Sequence, residues 1–175
     1  MSLDTFSTPR LRAERLTLRH WGDLRRMDSD AGFMALLGGV RDEPGTLVYL
    51  ERNLSHWVEH GFGLWMLRDG GTGTMAGRAI VRHLDVGGTD EVEIGYGFLP
   101  AWWGRGLATE IAGACVRIGL HTLRLPSVVA VTLPEHAASR RVLANAGLRY
   151  ERDVLHLGLQ HVLYRTSAEA VGHGG

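Results

Sequence analysis

The sequence predicts an α/β domain whose sheet is mixed and mostly antiparallel. Three strand-like runs in the middle of the chain are separated by short glycine-rich turns, a pattern typical of an antiparallel meander. A short, almost wholly apolar and β-branched run, SVVAVTL (127–133), stands between two helical patterns and indicates a strand buried on both faces. The predicted order of elements is β-α-α-β-β-β-α-β-α-β-β within 175 residues.

The first half of the chain supplies one strand, two helices and the meander. Alternation of apolar and polar residues predicts the first strand at RLTLRHW (15–21). Apolar residues recur at helical spacing over 22–37 and again over 45–61, where Gly61 ends the second helix. The three strands of the meander are FGLWMLR (62–68), MAGRAIVRHL (75–84) and EVEIGYGFL (91–99).

The second half of the chain alternates helices with strands. An apolar stripe predicts a helix over 107–123, and AASRRVLANAG (137–147) predicts a shorter one after the buried strand. LRYERDV and LQHVLYRT close the chain as two further strands. The remaining SAEAVGHGG (167–175) is small, polar and glycine-rich, so we expect a disordered tail after a single domain over residues 1–166.

Composition and charge narrow the classes of function. Apolar residues make up 45% of the chain, and 19 basic residues balance 19 acidic ones, so net charge does not point to nucleic acid or membrane as a partner. The single cysteine, Cys115, excludes an intramolecular disulfide and a multi-cysteine zinc site. No apolar run approaches the ~20 residues that span a bilayer, and the first 30 residues lack a signal-peptide core. We expect a cytoplasmic protein.

A glycine-spaced turn precedes the helix that begins near Leu107. The first turn of a helix carries unpaired backbone N–H groups and a partial positive charge. Gly104 and Gly106 have no Cβ and Ala108 has little bulk, so an anion such as a pyrophosphate can approach these amides closely. Two better-known phosphate loops fit poorly: the Gly-Lys-Ser/Thr of a Walker A loop and the third glycine of a Rossmann fingerprint are missing.

The strand before this turn has two unlike faces. Ideal alternation places four apolar or aromatic side chains on one face, and Glu91, Glu93, Gly95 and Gly97 on the other. The second face therefore predicts a trough that has acids at one end and no side chains in its middle. Pro100 ends the strand, and a strand that loses its partner near Phe98 and Leu99 would offer backbone groups to an extended ligand.

These residues together resemble a known family. WGRGLA (103–108) is similar to the Q/R-x-x-G-x-G/A pyrophosphate loop of the GNAT superfamily of acetyltransferases. EIGYGFLPAWWGRGLATE and LPEHAASRRVLANAGLRY resemble the subgroup that includes bacterial ribosomal-protein N-terminal acetyltransferases. The resemblance runs in order over roughly residues 10 to 166. It implies a GNAT fold, a sheet of six to seven strands that splays open between its fourth and fifth strands to admit acetyl-CoA.

The resemblance also implies which residues bind the cofactor. The amides of Gly104, Gly106 and Ala108 would hold the pyrophosphate, and the pantetheine arm would pair with the strand that ends near Leu99. A main-chain N–H there would polarise the thioester carbonyl. The residues implied in cofactor binding are Gly97, Phe98, Leu99, Trp103, Gly104, Arg105, Gly106, Leu107, Ala108, Thr109, His136 and Ser139.

Three positions depart from the family pattern. Trp103 replaces the usual Gln or Arg, which matters little where only backbone need contact phosphate. His136 replaces an Asn that contacts the cofactor arm, and Leu143 stands where many members carry a Tyr general acid. Ser139, one helical turn earlier, is the natural substitute for donating a proton to the departing thiolate.

The implied reaction is direct attack of an amine on the thioester in a ternary complex, without a metal. Glu93 is the predicted base, acting directly or through water, and Glu91 on the same face is the second candidate. A peptide or protein α-amine is the acceptor that the subgroup favours, and a small-molecule amine such as an antibiotic or polyamine is the alternative. A non-catalytic acyl-CoA-binding module also stays open because the Tyr is absent, whereas failure of both phosphate motifs disfavours a nucleotide-binding protein. We expect a monomer or homodimer.

Overall fold

The structure is a computed structural model that describes residues 2–171, of which the last two are described by their backbone alone. The strands of this region are β1 (Thr5–Ser7), β2 (Leu11–Arg15), β3 (Leu64–Asp69), β4 (Met75–Val86), β5 (Thr89–Phe98), β6 (Ser127–Thr132), β7 (Arg149–His156) and β8 (Leu159–Ser167). Its α-helices are α1 (Trp21–Ser29), α2 (Ala31–Met34), α3 (Glu43–His60), α4 (Leu107–Arg117), α5 (Ala137–Asn145) and α6 (Ala168–Val171).

The strands form a mixed sheet in the order β1-β2-β3-β4-β5-β6-β8-β7. Most neighbouring pairs are antiparallel, and β5 pairs with β6 in parallel through Glu93 and Val129. The chain divides into two compact units, the first comprising Met1–Ile80 and Tyr96–Leu107 and the second Val81–Gly95 and Ala108–Gly175. Strands β4 and β5 pass from one unit into the other. The predicted α/β class with a splayed, mostly antiparallel sheet is confirmed.

In the first unit, α1, α2 and α3 share one apolar core with β3 and β4. Its apolar core contains Leu16, Leu24, Met27, Phe33, Met34, Tyr49, Leu50, Leu64, Met66, Met75, Ile80 and Leu99. Asp42 caps α3 by accepting a 2.8 Å hydrogen bond from the amide of Gly45, and Gly61 ends that helix in the left-handed conformation, as the sequence predicts.

The second unit encloses a smaller apolar cluster of Val86, Val129, Val154 and Leu163. Strand β6 is buried on both faces, since the neighbouring residues Val128, Val129 and Ala130 are all inaccessible. Cys115 lies in α4 and is buried, and burial raises the pKa of its thiol to about 12. The thiol is therefore a neutral core group.

The strand predicted at 15–21 is wrong. The chain leaves β2 at Arg15 and forms a 3-10 turn over Leu18–His20 that leads directly into α1. The turn is stabilised locally: the amide of Thr17 donates to Nδ1 of His20 over 3.0 Å, and Leu18 is 71% exposed instead of facing the core. Alternation of apolar residues over so short a run did not distinguish a strand from a capped turn.

Other boundaries differ by smaller amounts. The described residues contain eight strands rather than six or seven, because the chain forms β1 and β2 before residue 16, and the three-residue β1 has no recognisable pattern. The helix predicted over 22–37 divides at Asp30, whose carboxylate caps α2 by accepting from the amide of Phe33 over 2.7 Å. The predicted disordered tail begins with the short helix α6, and its residues 172–175 lie outside the described region. None of the described helices has the length and apolar character needed to cross a membrane.

Candidate functional site

The glycine turn after β5 has the backbone conformation that the sequence predicts. A 3-10 turn over Pro100–Trp102 leads into Gly104 (φ +72°) and Gly106 (φ +75°), and α4 begins at Leu107. Both glycines occupy the left-handed region, where a side chain is strained. A Cβ built on Gly104 would meet no atom within 4 Å, so space is open beside the backbone at the start of a helix. The geometry suits an anion.

Two arginine side chains of the first unit donate hydrogen bonds to carbonyl oxygens of this turn. Arg10 donates a 2.7 Å hydrogen bond from Nη1 to the carbonyl oxygen of Arg105, and Arg105 donates from Nη2 to the carbonyl of Ala101 over 2.9 Å. The Arg105 guanidinium also lies 4.9 Å from the centre of the Trp102 ring. Arg105 therefore folds back on its own turn. The contribution of Arg10 has no sequence signal, because 95 positions separate it from its partner.

A cavity of about 400 Å³ adjoins the turn. Its lining includes Arg10, Arg105, Trp102 and Leu107 together with the tight turn that follows β3. In that turn Asp69 accepts hydrogen bonds from the amide and hydroxyl of Thr72 and the amide of Gly71. Hydrogen bonds from Thr72, helped by Gly71 and the charge of Arg105, lower the pKa of Asp69.

At the end of β5, more backbone groups are hydrogen-bonded and more side chains pack on the strand than the alternation predicts. The amide of Leu99 donates to the carbonyl of Ala76 over 2.9 Å, and Trp103 Nε1 donates to the carbonyl of Phe98 over 2.7 Å. A Cβ on Gly97 would lie 2.9 Å from Cζ of Phe33, so α2 covers the strand at this glycine. The expected trough without side chains is therefore closed at Gly97, and two of the backbone groups near Leu99 are already bonded.

Glu93 and Glu91 of β5 each pair with an arginine that has no signal in the sequence. Glu93 is 6% exposed and accepts a 2.6 Å hydrogen bond from Nε of Arg82. Glu91 forms a two-pronged pair with Arg165, at 2.6 Å from Nη2 and 3.0 Å from Nη1. This pair, with Glu151, raises the pKa of Arg165. Both oxygens of Glu91 are therefore engaged by Arg165.

The remaining predicted site residues lie in the second unit. Ala108 and Thr109 are in the first turn of α4 and are half-buried. His136 precedes α5, with Nδ1 3.4 Å from the hydroxyl of Thr132, and burial lowers its pKa. Ser139 lies in the first turn of α5 and is half-buried, whereas Leu143 is a core residue. The described residues contain no group of three or more His, Cys, Asp or Glu side chains placed to hold a metal ion.

Comparison with known proteins places these features in a family. Residues 10–149 match the family described as the acetyltransferase (GNAT) domain. The structure is similar to that of an acetyltransferase from Agrobacterium tumefaciens, with a TM-score of 0.83, 25% identity and 95% of each chain covered.

Two similar structures were solved as complexes with coenzyme A. RimL, a ribosomal-protein alpha-N-acetyltransferase, has a TM-score of 0.78 at 14% identity, covering 95% of this chain and 99% of its own. The aminoglycoside acetyltransferase AAC(6')-Ib has a TM-score of 0.77 at 15% identity, covering 94% and 98%. At such identities the likeness concerns the fold, and two enzymes named for unlike acceptors match it almost equally well.

Proposed function

The chain belongs to the GNAT acetyltransferase family and is an acyltransferase, and on that premise we propose that it moves the acetyl group of acetyl-CoA to a primary amine, favouring a peptide or protein α-amine. The observation that carries the proposal is the exposed turn at Gly104 and Gly106, whose left-handed conformation opens the backbone at the start of α4. Acetyl-CoA offers the pyrophosphate that such a turn binds.

The cofactor is assigned along the chain from β5 into α4. The amides of Gly104, Gly106 and Ala108 bind the pyrophosphate, and Trp103, Arg105, Leu107 and Thr109 shape the same turn. Support comes from the helix dipole of α4 and from the hydrogen bond that Arg10 donates to the turn. Leu107 contributes through its backbone, because its side chain is buried in the core.

The pantetheine arm is assigned to the end of β5. Gly97, Phe98 and Leu99 line it, and a main-chain N–H of this stretch polarises the thioester carbonyl as a one-donor oxyanion site. Since the amide of Leu99 is bonded to Ala76, we assign the polarising N–H to the residues before it. His136, in the loop before α5, stands at the position where the family's Asn contacts the arm, and we assign it to the cofactor on that resemblance.

The chemistry is direct attack of a neutral amine on the carbonyl carbon of the thioester. Glu93 is the proposed base that takes the ammonium proton, either directly or through water. Ser139 donates a hydrogen bond or proton to the departing thiolate, in place of the Tyr that many family members use. Glu91 is the weaker candidate because Arg165 engages both of its oxygens.

An acceptor screen tests this function. Purified protein is first titrated with acetyl-CoA by calorimetry, and then incubated with acetyl-CoA and three acceptor sets: peptides with free α-amines, the same peptides N-formylated, and small amines including aminoglycosides and polyamines. We expect CoA release and a mass increase at the α-amine of the unblocked peptides. If only small amines are acetylated, the acceptor is a small-molecule amine and not a peptide α-amine. If acetyl-CoA binds but no acceptor is acetylated, the protein is a non-catalytic acyl-CoA-binding module. Absence of binding removes the proposal.

Gly104→Val is expected to weaken acetyl-CoA binding. A non-glycine residue in the left-handed region costs roughly 1–2 kcal/mol, and a branched side chain would occupy the open space beside the amides. A loss of about 1.4 kcal/mol in binding free energy raises Kd tenfold. We therefore expect calorimetry to show at least a tenfold higher Kd for acetyl-CoA.

Gly61→Val is the matched control for this prediction. Gly61 has φ +74° and, like Gly104, no atom within 4 Å of an added Cβ, but it ends α3. The two variants should lose similar stability while only Gly104→Val loses affinity. If both variants bind acetyl-CoA with equal affinity, the turn at Gly104 does not bind the cofactor.

A further inference from the structure

In the second unit, the strand register places a set of side chains on one face of the sheet. Glu93 of β5 pairs with Val129 of β6. Two residues farther along β6, Val131 pairs with Leu163 of β8. Residues directly paired across strands share a face, and residues two apart on one strand share it as well. Glu93, Val129 and Leu163 therefore lie on the same face.

The same rule brings β7 onto this face. His161 stands two residues before Leu163 on β8 and pairs with Val154 of β7, and His156 follows two residues later. The imidazoles of His156 and His161 meet edge to face, with ring centres 5.4 Å apart. Both histidines are half-buried. The β7–β8 hairpin thus presents two imidazoles on the face that carries Glu93.

Apolar packing brings this end of β7 close to β4. Val154 belongs to one buried cluster with Val86 of β4, Val129 and Leu163, and Leu84 packs against the cluster. On β4, alternation places the side chain of Arg82 on the same face as those of Leu84 and Val86. The face therefore carries a buried apolar cluster, and Arg82, Glu93, His156 and His161 are polar groups on it.

The charges of the other polar groups on this face influence the pKa of His156. Burial is the main influence and lowers the pKa of His156, the negative charge of Glu93 raises it, and His161 and Arg82 lower it further. The net shift is downward, so the imidazole is neutral and able to take a proton at neutral pH. These three residues are the charged or titratable groups that act on it.

We propose that His156 accepts the proton of the acceptor amine, and that Glu93 acts as a positioning residue whose charge stabilises the imidazolium so formed. This inference rests on the proposed acetyl transfer and names His156 as the residue that takes the proton of the amine. The ammonium first gives one proton to a ring nitrogen of His156. The amine then attacks the carbonyl carbon, the N–C bond forms, the C–S bond breaks, and the second nitrogen proton moves to the thiolate. His156 finally releases its proton to solvent.

The two groups differ in their availability to a substrate. The side chain of Glu93 is 8% exposed and already accepts a short hydrogen bond from Arg82. Protonating that carboxylate would weaken a largely buried ion pair, and weakening such a pair is costly. His156 is half-buried, so solvent reaches it. The imidazole can gain a proton while the carboxylate of Glu93 remains ionised, and that negative charge favours the imidazolium.

The pH dependence of transfer tests this assignment. The unaltered protein is compared with His156→Gln, Glu93→Gln and the surface control His121→Gln. Each is assayed with acetyl-CoA and an equimolar mixture of X-Ala-Ala-Phe amides in which X is each of the amino acids in turn. We expect His156→Gln to lower kcat/KM by about a hundredfold or more and to abolish the rise of rate with pH that a neutral base produces. His121→Gln should match the unaltered protein, since that side chain is exposed.

A histidine titration by NMR supplies a second readout that does not depend on turnover. The resonance of His156 is identified by its loss in His156→Gln, and its pKa is then measured with and without Glu93→Gln. We expect the Glu93 variant to lower the pKa of His156, because a negative charge that raises it is removed. The thermal unfolding midpoint and acetyl-CoA affinity of each variant verify that it is folded.

The outcomes separate this inference from the function on which it rests. If the unaltered protein transfers acetyl groups, and His156→Gln keeps both its rate and its pH profile, His156 is not the base and acetyl transfer stands. A pKa of His156 that is unchanged in Glu93→Gln also overturns the pairing. If the unaltered protein does not transfer to any acceptor, the proposed function itself fails and this inference fails with it.

Discussion

Replacing Asp28 by alanine is expected to lower the free energy of unfolding by about 3–5 kcal/mol, because one partner of a buried ion pair would be removed. Asp28 lies in α1 and is fully buried. Its Oδ1 accepts hydrogen bonds from Nη1 of Arg78 over 2.7 Å and from Nη1 of Arg41 over 3.0 Å. Arg78 is itself buried, and its guanidinium lies 4.9 Å from the ring of Phe33 and 4.7 Å from that of Tyr49. Alanine would leave this charge inside the first unit.

Chemical denaturation measures the change, and a paired replacement supplies the control. Asp28→Leu combined with Arg78→Met removes both buried charges while keeping apolar volume, and such exchanges are often neutral or stabilising. Oδ2 of Asp28 is buried without a hydrogen-bond partner among the described residues, which adds to the cost of the native pair. The double variant should therefore recover most of the lost stability. If Asp28→Ala lowers the free energy of unfolding by less than about 1 kcal/mol, the Asp28–Arg78 pair contributes no more than an exposed salt bridge, which contradicts this prediction.

Replacing Gly77 by alanine is expected to lower acetyl transfer by about a hundredfold, because a displacement near 1 Å at a reacting site has that effect. A Cβ on Gly77 would lie 2.2 Å from the carbonyl oxygen of Gly97 and 3.0 Å from Cα of Phe98. These are backbone atoms, so β5 must shift where we assign the pantetheine arm. Overpacking of this kind also costs about 1–3 kcal/mol of stability.

Steady-state kinetics and calorimetry with acetyl-CoA measure this effect. Gly22→Ala is the control, since an added Cβ in α1 meets no atom within 4 Å and alanine favours a helix over glycine by up to about 1 kcal/mol. That variant should keep full activity and equal or greater stability. If Gly77→Ala keeps full activity and acetyl-CoA affinity, β5 tolerates the shift or the cofactor does not lie along it.

The parts of the candidate site that could be predicted are those written in short stretches of sequence. Gly104 and Gly106 adopt left-handed conformations that glycine favours, and a helix follows at Leu107, so the turn was predictable from its own residues. The strand at 15–21 shows the limit of such reasoning. Its alternation is local too, but the contact between Thr17 and His20 turned the chain into a capped helix start.

The parts that could not be predicted depend on pairs that are distant in sequence. Arg10 braces the glycine turn across 95 positions, Arg165 holds Glu91 across 74, and Arg78 meets Asp28 across 50. A Gly, a Glu or an Arg carries no local sign of such a partner. The predicted trough at Gly97 was closed for the same reason, because Phe33 comes from a helix more than 60 positions earlier.

By itself, the sequence determined most of the elements, the glycine turn and the family, because each rests on backbone preferences and spacing within a few residues. Only the tertiary structure decided which acids are free to act. Pairing of β5 with β6 and of β7 with β8 placed His156 on the face that carries Glu93, and the Arg82 pair engaged that carboxylate. The physical reason is that charge and burial depend on every neighbour in space, whereas local conformation depends mainly on neighbours in the chain.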